Sequence, residues 1–124
     1  MADVKRILIV DDETAFLEML QNALELRGME VITATNAVEA GIEISTKKPD
    51  LILMDIKMPG INGLDACEAI KRNPATKNIP LAIISAHSED VFVKKAQKAG
   101  VVDYFVKPIN IESLVKRLKE ILAI

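Results

Sequence analysis

The chain has a single cysteine, and that scarcity excludes two common ways of stabilising a small protein. Cys67 alone cannot close an internal disulfide or form a cysteine-based metal site. Free thiols are usual in the reducing cytoplasm, so we expect the protein to work there. The sequence also lacks any apolar stretch long enough to cross a bilayer or to serve as a signal peptide. We therefore expect neither a membrane protein nor an exported one.

Positive charge is not in excess either. The chain carries 16 Lys and Arg residues against 18 Asp and Glu residues, which gives a net charge of −2. A nucleic acid or an anionic membrane surface is held by a positive field, which this charge balance does not provide. The sequence has no internal repeat and no linker rich in Ser or Gly. Its 124 residues suit one domain, so we expect a single domain over residues 1–124, as a monomer or weak dimer.

Short apolar runs supply the main structural signal. Ile7–Val10, Leu51–Met54 and Leu81–Ile84 are continuously apolar, which is typical of strands covered on both faces in a parallel sheet. Val31–Ala34 and Tyr104–Val106 are weaker strand candidates. The sequence therefore predicts five strands.

Segments with helical spacing separate these runs. Phe16, Leu20 and Ala23 belong to one apolar stripe that ends at Gly28, and Gly100 ends the fourth helix in the same way. Strand and helix alternate five times, which indicates an α/β fold with a parallel sheet and helices on both faces.

Polar residues follow the strands at the edge where such sheets place their functional sites. Asp11, Asp12 and Asp55 would crowd negative charge there, so a cation must balance them. Lys107 supplies one positive charge, and a hard divalent ion such as Mg²⁺ suits the remaining carboxylates. Ser85 adds a hydroxyl donor. A zinc site is not expected, because neither histidine nor cysteine is present among these strand ends. Lysine and metal together indicate a site for a phosphoryl group.

Four motifs at successive strand ends resemble the receiver domain of bacterial two-component response regulators, over the full length of the chain. They read ILIVDDE, LILMDIKMPGINGL, IISA and DYFVKPI. The resemblance is to single-domain chemotaxis regulators in particular. It implies a flavodoxin-like five-stranded parallel sheet of order 2-1-3-4-5 with helices on both faces.

The resemblance also implies roles for individual residues. Asp55 would be the phosphoacceptor and Lys107 the partner of its phosphoryl group. Asp11, Asp12, Asp55 and the backbone carbonyl of Lys57 would hold Mg²⁺. Ser85 and Tyr104 occupy the two positions of the family's switch. The peptide bond between Lys107 and Pro108 is expected to be cis.

The partners follow from the same resemblance. A sensor histidine kinase or phosphotransfer protein would donate the phosphoryl group. The domain would be a signalling phosphoacceptor and not an enzyme, although it would assist its own phosphorylation and dephosphorylation. The fourth helix, fifth strand and fifth helix would form the output face, with Lys94, Lys95, Lys98 and Tyr104 on it. That face would signal to a downstream protein or a missing output domain, with no direct contact to nucleic acid.

Three other functions share features with this sequence. A flavodoxin-like cofactor carrier would cradle a phosphate, but the loop of Asp11, Asp12 and Glu13 has no glycine and would repel it. A phosphatase with Asp11 as its nucleophile would need a second aspartate two residues further on, where this chain has Glu13. Such an enzyme usually also needs a cap insertion, and no segment here is long enough for one. A receiver-like interaction module that works without phosphorylation is the third.

Overall fold

The computed structural model describes residues 4–58 and 61–124. Strands and helices alternate along most of the described chain. The strands are β1 (Arg6–Val10), β2 (Glu30–Ala34), β3 (Leu51–Met54), β4 (Lys57–Met58), β5 (Ile61–Asn62), β6 (Leu81–Ser85) and β7 (Asp103–Val106). The helices are α1 (Thr14–Glu25), α2 (Ala37–Lys47), α3 (Gly63–Arg72), α4 (Asp90–Ala99) and α5 (Ile111–Leu122).

Five of the strands form one parallel sheet. Their order is β2-β1-β3-β6-β7, which is 2-1-3-4-5 when only the strands of this sheet are counted. Both the fold class and the strand order predicted above are confirmed. The chain reverses its direction of travel across the sheet between β1 and β3, and ligand sites in open α/β sheets lie beside such a reversal.

The three central strands are buried on both faces, which explains their unbroken apolar sequences. Every residue of β3 and β6 is buried, and so are Ile7–Val10 of β1. Alternate residues point to opposite faces of a strand, so each strand contributes to two separate cores. One core lies under α2, α3 and α4 and includes Leu8, Ile52 and Ile83. The other lies under α1 and α5 and includes Ile9, Leu53 and Ile84.

Local chemistry fixes where several helices begin and end. The Asn36, Asn62 and Asn110 side chains accept hydrogen bonds from backbone N–H groups in the first turns of α2, α3 and α5. These bonds satisfy donors that have no partner within the helix. Gly100 follows α4 with φ of 94°, a left-handed conformation that costs glycine little. The predicted end of the fourth helix is confirmed.

The segment after β3 differs from the plain loop that the sequence suggested. β4 and β5 pair as a short antiparallel ladder, and α3 begins immediately after it. Pro59 and Gly60, which belong to one of the quoted motifs, lie outside the described residues. At Gly63 the backbones approach so closely that a Cβ atom there would lie 2.3 Å from the Ile56 Cα.

None of the helices in the described ranges combines the length and the apolarity needed to cross a membrane.

Candidate functional site

Three carboxylates meet at the carboxyl edge of the central strands. Asp11 and Asp12 follow β1, and Asp55 follows β3, its direct neighbour in the sheet. One carboxylate oxygen from each of the three lies within 4.8 Å of the others. Asp11 is fully buried and Asp55 is 5% exposed, whereas Asp12 is exposed. The three aspartates predicted to converge do so, and such a set of oxygens could hold a hard divalent cation.

Lys107 reaches the same cluster from the end of β7. Its Nζ lies 2.7 Å from the Asp11 carboxylate and 3.5 Å from Asp55 Oδ2. Only 14% of its side chain is exposed. The peptide bond that joins it to Pro108 is cis, as the resemblance implied. Lys107 is therefore a partly buried cation aimed at the carboxylates and not a solvated surface lysine.

Burial and charge act in opposite directions on these groups. Burial raises the pKa of Asp11, and this outweighs the hydrogen bond from Lys107, which acts to lower it. Burial by itself would lower the pKa of Lys107, but its hydrogen bond to Asp11 and the charges of Asp11 and Asp55 raise that pKa. Lys107 therefore stays protonated, and the Asp11 carboxylate is held in a site that disfavours its charge.

The backbone orders the acidic loops. Asp11 Oδ1 accepts a hydrogen bond from the Glu13 N–H at 3.0 Å, and Asp55 Oδ1 accepts one from the Lys57 N–H at 2.9 Å. Each aspartate thus folds the two residues behind it into a tight turn. The turn at Asp55 brings the Lys57 N–H next to the acidic cluster.

Ser85 and Tyr104 are connected through the loop between β6 and α4. Ser85 is fully buried, and its Oγ accepts a hydrogen bond from the His87 N–H at 3.1 Å. The Tyr104 hydroxyl donates a hydrogen bond to the His87 carbonyl. Burial raises the pKa of the Tyr104 hydroxyl, so this donor keeps its proton at neutral pH. The two predicted switch residues therefore both bond the backbone of His87, Ser85 at its N–H and Tyr104 at its carbonyl.

Sequence reasoning missed two contacts of Lys107. The exposed Glu13 carboxylate lies 3.3 Å from Nζ; its place after β1 predicts that it lies at this edge of the sheet, but not that it pairs with Lys107. Phe16 was assigned to the apolar stripe of α1, and it does pack against that core. Its ring also lies beneath the Lys107 ammonium, with 4.2 Å between Nζ and the ring centroid. Helical spacing gives no signal for such a contact, because Lys107 is remote in sequence.

Comparison with known proteins decides the family. The model of the response regulator receiver domain matches residues 7–119. The chain belongs to this family. Phosphorylation on aspartate is the general signalling function of this family. Membership of this family argues against the two alternatives of a flavodoxin-like cofactor carrier and a phosphatase with an aspartate nucleophile.

The curated relatives differ in how much of them the receiver domain spans. It is 40% identical to the phosphate regulon transcriptional regulatory protein PhoB of Pseudomonas aeruginosa, over 95% of this chain but 52% of PhoB. It is 35% identical to protein PilH of the same organism, over 95% of this chain and 98% of PilH. The chain thus spans about half of PhoB and nearly all of PilH.

Solved structures share the whole fold. A response regulator from Chloroflexus aurantiacus is 34% identical with a TM-score of 0.91, covering 98% of this chain and 100% of that one. A CheY-like receiver domain from Methanospirillum hungatei is 31% identical with the same TM-score of 0.91, covering 98% and 95%. The receiver domain is similar to both along nearly its full length.

Proposed function

We propose that Asp55 is the residue that accepts the phosphoryl group. The observation that carries this proposal is the meeting of three carboxylates with the Lys107 ammonium, which lies 3.5 Å from Asp55 Oδ2. A partly buried cation beside a carboxylate oxygen is the arrangement needed to stabilise charge on an incoming phosphoryl group.

The surroundings of the other two aspartates favour Asp55 over them. Asp11 has no exposed surface, and its two oxygens are engaged by the Glu13 N–H and by Lys107 at 2.7 Å. Asp12 is exposed, and in the described part of the chain no ion pair joins it to Lys107. Asp55 lies at the end of the central strand β3 and retains some exposure, and among the described residues its Oδ2 contacts Lys107 alone, at the longer distance of 3.5 Å. That oxygen is therefore the one best placed for attack.

The donor set fits a magnesium ion. Three carboxylates face one lysine at the centre of the cluster, so the site carries surplus negative charge that a divalent cation would neutralise. Asp11, Asp12, Asp55 and the backbone carbonyl of Lys57 would hold it. When bound, Mg²⁺ would supply charge stabilisation at the phosphoryl oxygens.

The transfer itself uses few protein groups. The Asp55 oxygen attacks phosphorus as the P–N bond of a phosphohistidine, or the P–O bond of a small acyl phosphate, breaks and its electrons leave with the donor. Lys107 pairs with the negative oxygens of the transferred group. Hydrolysis later cleaves the new bond and returns the Asp55 carboxylate and inorganic phosphate. The domain thus assists its own phosphorylation and dephosphorylation.

The output follows from the peptide segment that Ser85 and Tyr104 share. A phosphoryl group on Asp55 offers new acceptors to the Ser85 hydroxyl, which would change the hydrogen bonding of the His87 segment and hence of Tyr104. Tyr104 lies on β7 between α4 and α5, so the change would reach the face made by α4, β7 and α5. Lys94, Lys95 and Lys98 of α4 are exposed, but Lys95 and Lys98 line a groove shared with α3, so of the three lysines expected on the output face only Lys94 is left for it.

The proposed partners have the corresponding chemistry. A sensor histidine kinase or a phosphotransfer protein would donate the group, and a downstream protein or an output domain would bind the α4, β7 and α5 face. We place this activity in the cytoplasm, in a single receiver domain that acts as a monomer or weak dimer without binding nucleic acid or membrane directly.

Intact-mass spectrometry after incubation with acetyl phosphate and Mg²⁺ tests the proposal. The wild-type chain should gain one phosphoryl group, and Asp55→Asn should gain none. Asp65→Ala is the matched control, because Asp65 is an exposed aspartate of α3 outside the cluster. It should be modified like the wild type. Removal of Mg²⁺ should abolish the adduct.

Other outcomes would refute the assignment. An adduct that persists in Asp55→Asn would move the acceptor to another residue. If neither acetyl phosphate nor beryllofluoride bound with a requirement for Mg²⁺, the chain would act as a receiver-like interaction module that works without phosphorylation.

A further inference from the structure

The Lys107 ammonium is enclosed by three acidic side chains and one aromatic ring. Its Nζ lies 2.7 Å from Asp11, 3.3 Å from Glu13 and 3.5 Å from Asp55. The Phe16 ring centroid lies 4.2 Å from the same atom. A cation at this distance over a ring face is attracted by the negative charge of the π system. This attraction strengthens where water is excluded, and only 14% of the Lys107 side chain is exposed.

The ring restrains Lys107 without using a hydrogen bond. An ammonium group has three N–H donors and no acceptor. Asp11, Glu13 and Asp55 provide an acceptor for each donor, so the ring contacts Nζ while all three remain directed at oxygen. A water molecule in place of the ring would compete for those donors.

The position of the ring is fixed by the core. Phe16 lies in the first turn of α1, beside Leu17, and both pack in the cluster between α1, α5 and the sheet. Leu17 and Leu20 are buried there and anchor the helix. The ring thus presents a rigid surface to a lysine that arrives from the opposite end of the chain.

We propose that Phe16 is a positioning residue for phosphoryl transfer: its ring face holds the Lys107 ammonium beside Asp55. The inference rests on the proposed function of Asp55 and adds a residue to it. Attraction to a ring face depends weakly on direction, whereas a hydrogen bond depends on it strongly. Lys107 can therefore move from the Asp11 carboxylate toward the phosphoryl oxygens without leaving the ring.

Fluorinated phenylalanines at position 16 separate ring charge from ring shape. Fluorine withdraws electrons from the π face while it changes the shape of the side chain little. We expect the rate constant for phosphorylation by acetyl phosphate at saturating Mg²⁺ to fall about threefold to tenfold with pentafluorophenylalanine, within the range of a partly buried cation–π contact. Monofluorophenylalanine should give an intermediate rate. Phe16→Tyr should stay near the wild-type rate, and Phe16→Leu should lose at least as much as the pentafluoro variant.

The matched control is pentafluorophenylalanine at position 105. Phe105 packs in the same cluster, and no cation lies over its ring in the described part of the chain. Its phosphorylation rate should equal that of the wild type. The affinity for Mg²⁺, measured by titration, should change less than twofold in either variant, because neither phenylalanine side chain offers an oxygen ligand to the ion.

The results that would overturn the inference differ from those that would overturn the proposed function. Equal rates for wild type and the pentafluoro variant at position 16, with a normal Asp55 adduct, would refute the role of Phe16 alone. The same holds if the control at position 105 slowed equally, since general packing would then explain the loss. A wild-type chain with no adduct on Asp55 would refute the proposed function, and the role of Phe16 with it.

Discussion

Substitution of Gly63 by alanine should destabilise the receiver domain and disturb the loop that follows Asp55. A Cβ atom at position 63 would lie 2.3 Å from the Ile56 Cα and 2.9 Å from the Ile56 carbonyl carbon and oxygen. These are backbone atoms, which cannot rotate away as a side chain can. Ile56 itself is 4% exposed and lies between Asp55 and Lys57. Relief of the clash must therefore shift either the start of α3 or the backbone of the acidic site.

The cost can be set against measured overpacking in protein cores. Extra atoms in a well-packed site cost about 1 to 3 kcal/mol, and the rigid neighbour places Gly63→Ala at about 2 to 3 kcal/mol. The Gly63 N–H also donates to the Ile56 carbonyl at 3.2 Å, a bond that the shift would weaken. With a urea m-value of about 2 kcal/mol/M, the midpoint of unfolding should fall by about 1 to 1.5 M.

Gly41→Ala is the matched control. Gly41 lies within α2, and a Cβ atom there would meet nothing within 4 Å. Alanine in a helix interior is more stable than glycine by about 0.5 to 1 kcal/mol, so this midpoint should rise. Urea denaturation followed by circular dichroism measures both. The reasoning fails if Gly63→Ala unfolds at or above the wild-type midpoint, or if the two variants move in the same direction.

Three further predictions concern the site and the output face. Without metal, the contribution of Asp11 to the free energy of unfolding should fall as pH rises from about 3.8 to the higher pKa of folded Asp11, because the folded state holds that proton more tightly than the unfolded chain does. Asp11→Asn should remove this contribution, so the free energy of unfolding measured in urea should rise more steeply with pH than in the wild type. An unchanged slope would contradict the assignment. Tyr104→Phe removes the hydrogen bond to the His87 carbonyl and should lower the free energy of unfolding by about 1 kcal/mol. Amide hydrogen exchange in the loop between β6 and α4 should become faster, and unaltered exchange there would show that the bond does not hold the loop. The Arg117 Nε and the Asp103 Oδ2 lie 2.7 Å apart, but the two side chains are 40% and 33% exposed. A double-mutant cycle to alanine should therefore give a coupling energy of about 0.2 to 1 kcal/mol. A value above about 2 kcal/mol would show that the pair is less hydrated than its exposure indicates.

The fold was open to prediction because its signals are local. Unbroken apolar runs such as Leu51–Met54 indicate strands with two buried faces, and the spacing of Leu17, Leu20 and Leu24 indicates a helix with one. Alternation of the two restricts the chain to a parallel sheet. The meeting of Asp11, Asp12 and Asp55 then follows, since the ends of adjacent parallel strands lie at one edge.

The short β4 and β5 pair was not predicted, because two-residue strands carry too few side chains to show an alternating pattern. The close approach at Gly63 was missed for a related reason. Position 63 requires glycine because the Ile56 backbone lies against it across the turn. Gly63 has no left-handed φ value, so no turn pattern in the sequence indicates this requirement.

The sequence by itself determined the helices, the five strands of the parallel sheet and the polar residues that end those strands, because periodicity is a property of neighbouring residues along the chain. Only the tertiary structure decided what each polar group faces. It brought Phe16 under Lys107, set Glu13 beside the same ammonium and joined Tyr104 to the His87 carbonyl. Each of these contacts depends on distances of a few ångströms between residues remote in sequence or on side-chain orientation, and packing of the helices on the sheet fixes both.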